Sequence, residues 1–263
     1  MSTDSPGLKT LSQVRPALRT ATHDLLGATI QVSDEDWARP SALPDWSRAE
    51  LAAHIARHAD ALRGVVEGAL RGEDVALYPS PEARDAGIRT GAGRTGLQIQ
   101  EDLDTACGRL EQAFDEVTDW AVQVPFRDTR VPVATLPLGR LAEVVLHHID
   151  LEIGTGFDDL DPVVAAVIMD WAVDRIGHKP GAPALRLVAS DGRQWLTPAA
   201  EHAVPEPSTT AEQATAEPGT ASGQQPGAVV EVSGTPQRLL GWLAGRLGAD
   251  AVSGADEVEV PRW

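Results

Sequence analysis

The feature that most constrains this chain is an apolar helical pattern over residues 135–153 that carries acidic and imidazole side chains in its middle. Glu143 and His147 are four residues apart, so on an α-helix they lie one above the other on the same face. A carboxylate and an imidazole on one turn can hold a metal ion together, but further ligands must come from another element. The alternative is an ordinary helix-surface pair, because this spacing also occurs without a metal.

A second predicted helix supplies candidates for the third ligand. Ser47 and Glu50 form the pattern of a capping box, which predicts that this helix begins at Ser47, and it runs to about residue 70. His54 is flanked by apolar positions, so we expect it to point inward, whereas His58 lies one turn later beside charged neighbours and can be exposed. The alternative role for His54 is that of a hydrogen-bonded structural histidine.

The composition excludes several classes of partner. Lys and Arg total 22 against 39 Asp and Glu, which gives a net charge of −17. This charge repels phosphate backbones and anionic membrane surfaces, so neither nucleic acid nor a membrane is expected as a partner. No apolar run reaches the roughly 20 residues that cross a bilayer. The amino terminus also lacks a secretory signal, so we expect a cytoplasmic protein, either a monomer or a small homo-oligomer.

The single cysteine, Cys107, excludes an internal disulfide and a multi-cysteine metal site. It lies in an apolar stripe of a predicted helix, and no neighbouring residue marks it as an activated nucleophile. We therefore expect a buried, inert thiol.

Two domains are predicted, and the fold class is α+β. The first, residues 1–158, is a bundle of four antiparallel helices. These helices are predicted over residues 10–30, 47–70, 97–119 and 135–153. A long irregular connection over residues 78–94 contains Arg84, and residues 125–132 form an extended connector. Loops on a rigid bundle are common places for substrate contacts.

The second domain, residues 159–263, is predicted to be a small α+β unit. Asp161 and Pro162 open a helix that ends near residue 176, and Thr235 caps another that runs through residue 247. Strands are predicted over residues 184–189, 194–197, 228–232 and 257–261, the first two as a hairpin. Residues 201–227 are poor in bulky apolar side chains, which predicts a disordered insertion.

Four segments together resemble one family. They are residues 43–54 (LPDWSRAELAAH), 78–88 (YPSPEARDAGI), 143–151 (EVVLHHIDL) and 233–246 (SGTPQRLLGWLAGR). With them the sequence resembles the mycothiol-dependent maleylpyruvate isomerases, within the DinB-like group of metal-binding four-helix bundles. The first and third segments are shared by the broader mycothiol-linked group, and the second, with Arg84, favours the isomerase. The insertion over residues 201–227 is longer than expected for this family.

The resemblance implies a zinc ion on His54, Glu143 and His147, with mycothiol, a low-molecular-weight thiol, as cofactor. It also implies that Arg84 and Arg246 bind a carboxylate of a small anionic substrate or act in catalysis. The implied reaction is the cis–trans isomerisation of maleylpyruvate to fumarylpyruvate, a step of gentisate degradation in aromatic catabolism. In it the thiol adds to the double bond, the resulting single bond rotates, and the thiol is eliminated.

Alternatives stay open for the function and for single residues. The protein can instead be a mycothiol S-transferase, a non-catalytic metal- or thiol-binding bundle, or a bare scaffold without metal. Arg84 can be a solvated loop arginine, and Arg246 a cation favoured by the dipole at the end of a helix. His148 and Asp150 lie off the face of the two ligands on their helix, so we expect them to support the site or the fold.

Overall fold

The computed structural model describes residues 6–126, 129–203 and 229–261. The chain divides into two compact units, Met1–Gly156, called unit 1, and Phe157–Trp263, called unit 2. Unit 1 is mostly helical, whereas unit 2 combines helices of its own with a small sheet, so the predicted α+β class is confirmed.

Unit 1 is a helical bundle. Its helices are α1 (Pro6–Thr29), α2 (Asp34–Trp37), α3 (Arg48–Arg71), α4 (Pro81–Ala92), α5 (Gly96–Asp115) and α6 (Leu136–Asp150). The predicted bundle helices correspond to α1, α3, α5 and α6. Helix α3 packs against α4, α5 and α6, while α1 packs against α5 and α6. The side chains that α3 presents to the core therefore meet those of α6.

Helix α3 begins as predicted. The Ser47 hydroxyl accepts a hydrogen bond from the Glu50 backbone N–H at 3.2 Å, and the Glu50 carboxylate accepts one from the Ser47 N–H at 2.8 Å. The helix ends at Gly72, whose φ of 72° is the left-handed conformation that glycine adopts without strain. Because neighbouring helices cover α3 on several sides, His58 is only 7% exposed, and the exposed position that its charged neighbours in sequence allowed is not found.

Two segments that the sequence predicted as irregular have regular structure. Residues 81–92 form helix α4, which Ser80 caps by accepting from the Ala83 N–H at 3.2 Å, so Arg84 stands on a helix and not in a loop. Of the residues on α4, only Ile88 and Gly91 are buried, which explains the weak apolar pattern. Residues 125, 126 and 129–132 of the predicted connector belong to two paired antiparallel strands, β1 (Gln123–Phe126) and β2 (Thr129–Pro132).

Gly91 allows α4 to lie directly on α3, and this makes a testable prediction. A Cβ atom at Gly91 would lie 2.8 Å from the Cβ of Ala53, next to His54, whereas one at Gly87 would meet only the Arg57 side chain at 3.4 Å. Gly91→Ala is expected to lower the free energy of unfolding by about 1–3 kcal/mol, because Ala53 cannot turn away. Gly87→Ala, the matched control, should be neutral or stabilising, since alanine favours the helix. Equal unfolding curves in urea for the two variants would contradict this packing.

Unit 2 is a three-stranded sheet with helices. Its elements are α7 (Pro162–Gly177), β3 (Leu185–Ala189), β4 (Gln194–Leu196), α8 (Pro198–Ala203), β5 (Val230–Gly234) and α9 (Pro236–Leu243). The strand order is β4-β3-β5, with β3 antiparallel to β4 and parallel to β5. The predicted hairpin, strand and caps are confirmed, including Asp161, which accepts from the Val163 N–H at 2.7 Å.

Two predictions for unit 2 need correction. Helix α9 ends at Leu243 and not near residue 247. The predicted strand over residues 257–261 is not formed; the backbone that meets the edge of β5 is that of Ser253, which exchanges hydrogen bonds of 2.8 and 2.9 Å with Ser233. The alternation of valine and glutamate over residues 257–261 is typical of a strand, but no described strand lies beside these residues to pair with them.

Of the predicted insertion, residues 201–203 belong to α8, and the rest lies outside the described residues. Within the described ranges, no helix combines the length and the apolar character that crossing a bilayer requires.

Candidate metal centre

The predicted metal ligands meet between α3 and α6 in unit 1. His54 Nε2 lies 3.4 Å from Glu143 Oε2, and His147 Nε2 lies 3.1 Å from the same oxygen. One candidate ligand atom from each of the three residues lies within 4.8 Å of the other two. We call these residues the His/Glu/His cluster. Helices α3 and α6 therefore contact each other at these residues, a tertiary contact that residue spacing in the sequence could not predict.

Local structure holds each ring of the cluster. His54 is 8% exposed on the core face of α3, and its ring stands edge-on to that of His147 with 5.0 Å between the centroids. The Trp46 ring also stands edge-on to that of His54, with 5.7 Å between the ring centroids. The imidazoles are therefore fixed by packing as well as by polar contacts.

Asp150 lies behind His147 and orients it. Its Oδ2 is 2.9 Å from His147 Nδ1, and its side chain is 1% exposed. A carboxylate accepts, so Nδ1 carries a ring proton and Nε2 is the nitrogen that faces the cluster; histidines that bind metals are commonly held in this way. His148, in contrast, contacts Thr155 Oγ1 through Nε2 at 3.2 Å and takes no part in the cluster.

The protonation states of the cluster favour the binding of a cation. Burial alone would raise the pKa of Glu143, but His58 and the hydrogen bonds with His147 and His54 hold it well below its usual value. Burial lowers the pKa of His54, which favours the neutral ring. Burial also acts to lower the pKa of His147, but Asp150 and Glu143 outweigh it and raise that pKa. The result is an ionised carboxylate among imidazoles.

A buried arginine lies on the same helix as Glu143 and holds the neighbouring His58, and sequence reasoning missed it. Arg140, 1% exposed and one turn before Glu143, donates through Nη1 to the Ile55 carbonyl at 3.0 Å and to His58 Nδ1 at 3.2 Å. His58 is thereby held with its proton on Nε2, and burial lowers its pKa to about 3, so it stays neutral. The available signal was an arginine inside an apolar helical run.

Cys107 is buried, as predicted, and the Arg140 Nη2 contacts its sulfur at 3.3 Å. Burial raises the pKa of the thiol in spite of the arginine, so the nucleophilic thiolate is disfavoured.

The two predicted substrate arginines lie in different units. Arg84 reaches the cluster within unit 1: its Nη2 is 3.5 Å from His54 Nδ1, and its guanidinium lies 5.8 Å from the Trp46 ring centroid. Its side chain is 32% exposed, so part of the guanidinium faces solvent. Arg246 follows α9 in unit 2, where its Nη1 donates to the Ala244 carbonyl at 2.8 Å.

The fold and the cluster define a class of protein: a helical bundle with a possible metal-binding site between two helices, followed by a smaller α+β unit. A family model described as "Mycothiol maleylpyruvate isomerase N-terminal domain" matches residues 18–152, about half of the chain. The chain therefore belongs to the mycothiol maleylpyruvate isomerase family, and the predicted assignment to an isomerase family is confirmed.

Two solved structures are similar over nearly the whole chain. One, described as the mycothiol-dependent maleylpyruvate isomerase, has 25% sequence identity and a TM-score of 0.77, with 96% of this chain and 97% of that chain covered. A histidine-to-alanine mutant of an isomerase of the same description has 24% identity and a TM-score of 0.76 at the same coverage. The predicted DinB-like α+β fold is thus confirmed. No protein with a curated function matches the chain significantly.

Proposed function

We propose that this protein is a zinc- and mycothiol-dependent cis–trans isomerase that converts maleylpyruvate to fumarylpyruvate. The observation that carries the proposal is the convergence of His54, Glu143 and His147 within 4.8 Å, in a chain that belongs to this family. A cytoplasmic location is part of the proposal, because small thiols are kept reduced there.

The donor set fits zinc. Two imidazoles and one carboxylate are the ligands of many catalytic zinc sites, and they leave a coordination position open. The geometry agrees, since His147 Nε2 faces Glu143 Oε2 at 3.1 Å while Nδ1 donates to Asp150, so Nε2 is the nitrogen available to a metal. Iron or manganese would accept the same ligands, so zinc is the proposed metal among these.

We assign a role to each residue of the candidate site. His54, Glu143 and His147 would hold the metal, which when bound lowers the pKa of a coordinating thiol. Reversible addition of that thiol gives the substrate a single bond about which it can rotate. Arg84 would bind a substrate carboxylate, because its guanidinium is half-exposed beside His54. We propose the same role for Arg246, supported by the family resemblance of residues 233–246.

The thiol must come from outside the chain. The sole cysteine is buried, and its pKa is raised, so it does not suit nucleophilic attack. This agrees with a borrowed low-molecular-weight thiol.

The test is an assay of the purified protein with maleylpyruvate and mycothiol. We expect fumarylpyruvate to form while the concentration of free thiol stays constant. Consumption of one thiol for each substrate would instead identify an S-transferase, and binding without turnover would identify a non-catalytic bundle.

Asp150→Asn gives a prediction for the supporting shell. The amide accepts more weakly and can donate, so His147 loses the partner that fixes its tautomer. We expect zinc affinity to fall by about 10–100-fold, measured by competition with a chelator. The matched control is Asp174→Asn, which alters an exposed aspartate 3.5 Å from His178 Nδ1 in unit 2. Equal zinc affinities for the two variants would contradict this role of Asp150.

A further inference from the structure

Tyr78 carries a buried hydroxyl whose proton has no acceptor in the described part of the chain. It is the only tyrosine of the protein and stands two residues before Ser80, the cap of α4. A buried polar group left unpaired costs about 1–3 kcal/mol of stability, so it is expected where another interaction offsets that cost. A bound ligand that accepts a hydrogen bond from the group would offset it.

The hydroxyl differs from the other unpaired buried atoms among the described residues. All of those are Nε atoms of arginines, such as Arg57 and Arg63, whose terminal nitrogens form ion pairs with Asp102 and Glu67 at 2.7 Å. A phenol has a single oxygen and no second polar atom to pair. The Tyr78 oxygen lies near the Arg84 guanidinium, which can only donate, so the phenol proton is left without an acceptor among the described residues.

The charges that act on the hydroxyl are those of the candidate site. Burial raises the pKa of Tyr78, the Arg84 and Arg140 guanidinium groups lower it, and the Glu143 carboxylate raises it. The net direction is upward, so the group remains a neutral O–H donor near neutral pH. Arg84 lies near the hydroxyl and is itself only a donor, so it offers the O–H no acceptor.

We propose that the Tyr78 hydroxyl donates a hydrogen bond to the ketone oxygen of the substrate that is conjugated with the isomerised double bond. This inference rests on the proposed function. When the thiol sulfur bonds to the alkene carbon, the π electron pair moves through the conjugated system onto that oxygen. After rotation, the pair returns, the double bond forms again, and the carbon–sulfur bond breaks. Tyr78 gives up no proton; it stabilises the oxygen while that atom is negative.

Tyr78→Phe tests this role, because it removes the hydroxyl and keeps the ring. Loss of one donor to a developing oxyanion is expected to lower kcat by about 100-fold, with less change in KM. Zinc content should stay at the wild-type level. The melting temperature of the free protein should be unchanged or higher, since an unpaired buried group has been removed.

Thr29→Val is the matched control. Thr29 is 1% exposed, and its hydroxyl donates to the Leu26 carbonyl at 2.7 Å. This variant should melt at a lower temperature than the wild type and keep its activity. A structural role for the Tyr78 hydroxyl would give the same pattern in Tyr78→Phe, namely lower stability with normal kcat, and would overturn the inference.

A second readout does not depend on a rate. Tyrosine labelled at the ring carbon that bears the hydroxyl gives a single NMR signal, because the chain has one tyrosine. In the wild type, this signal should shift when substrate, product and thiol are present at equilibrium. An unchanged signal in an active wild type would overturn the Tyr78 assignment alone. A wild type without isomerase activity would overturn the proposed function, and with it the substrate assigned to Tyr78.

Discussion

Replacing Glu143 with glutamine is expected to remove both zinc and isomerase activity. The carboxylate oxygen lies 3.4 Å from His54 Nε2 and 3.1 Å from His147 Nε2, so it is the one atom that both imidazoles face. Its replacement by a neutral amide should weaken zinc binding by more than the roughly 10–100-fold caused by losing an outer-shell partner. Elemental analysis of the purified variant and the isomerisation assay measure the two effects.

The matched control for Glu143→Gln is His148→Gln, a substitution on the same helix. His148 contacts Thr155 and lies outside the His/Glu/His cluster, so this variant should keep its zinc. Full zinc in Glu143→Gln, or zinc lost equally in both variants, would contradict the site.

The metal-free proteins provide a check on folding. A carboxyl group whose folded-state pKa is depressed stabilises the native state above its unfolded pKa, and this contribution is lost as the pH falls through the folded-state value. The pKa of Glu143 is lowered well below 4.5. Metal-free Glu143→Gln should therefore melt below metal-free wild type at neutral pH, and the difference should narrow in acid. A variant that melts cooperatively yet holds no zinc has lost the site and kept the fold.

The sequence predicted the parts of the fold that local chemistry determines. A few adjacent residues determine the capping box at Ser47 and the start of α7 at Asp161 and Pro162, and both features are present. The long helices of the bundle followed from apolar periodicity. Glu143 and His147 share a face of α6 for the same local reason, whereas the position of His54 opposite them depends on how α3 packs on α6 and needed the family resemblance.

The errors arose where tertiary contacts decide the outcome. Helix α4 buries little apolar surface, and its start at Ser80 and Pro81 was read as part of a loop. The exposure of His58 depends on how many helices surround α3, which its own helix does not reveal. The Tyr78 hydroxyl could not be singled out from the sequence, because a buried donor without an acceptor can be recognised only when every neighbour is placed.

Arg84→Met is expected to lower kcat/KM by about 100-fold while zinc content stays unchanged, because the proposed charge pair with a substrate carboxylate would be lost. Arg84 Nη2 lies 3.5 Å from His54 Nδ1, and its Nη1 pairs with Asp85 Oδ1 at 2.9 Å, so the guanidinium stands beside the candidate site with part of it exposed.

Two further variants separate substrate binding from structure at Arg84. Arg84→Lys keeps the positive charge and should recover part of kcat/KM, mainly through a lower KM than that of Arg84→Met. Arg89→Met removes an exposed arginine of the same helix and should have wild-type kinetics. Equal losses in the Met variants at positions 84 and 89 would mean that the net charge of α4, and not a specific contact, attracts the substrate. A loss of zinc in Arg84→Met would instead show that the arginine holds His54 in place, and it would then be a positioning residue for the metal site.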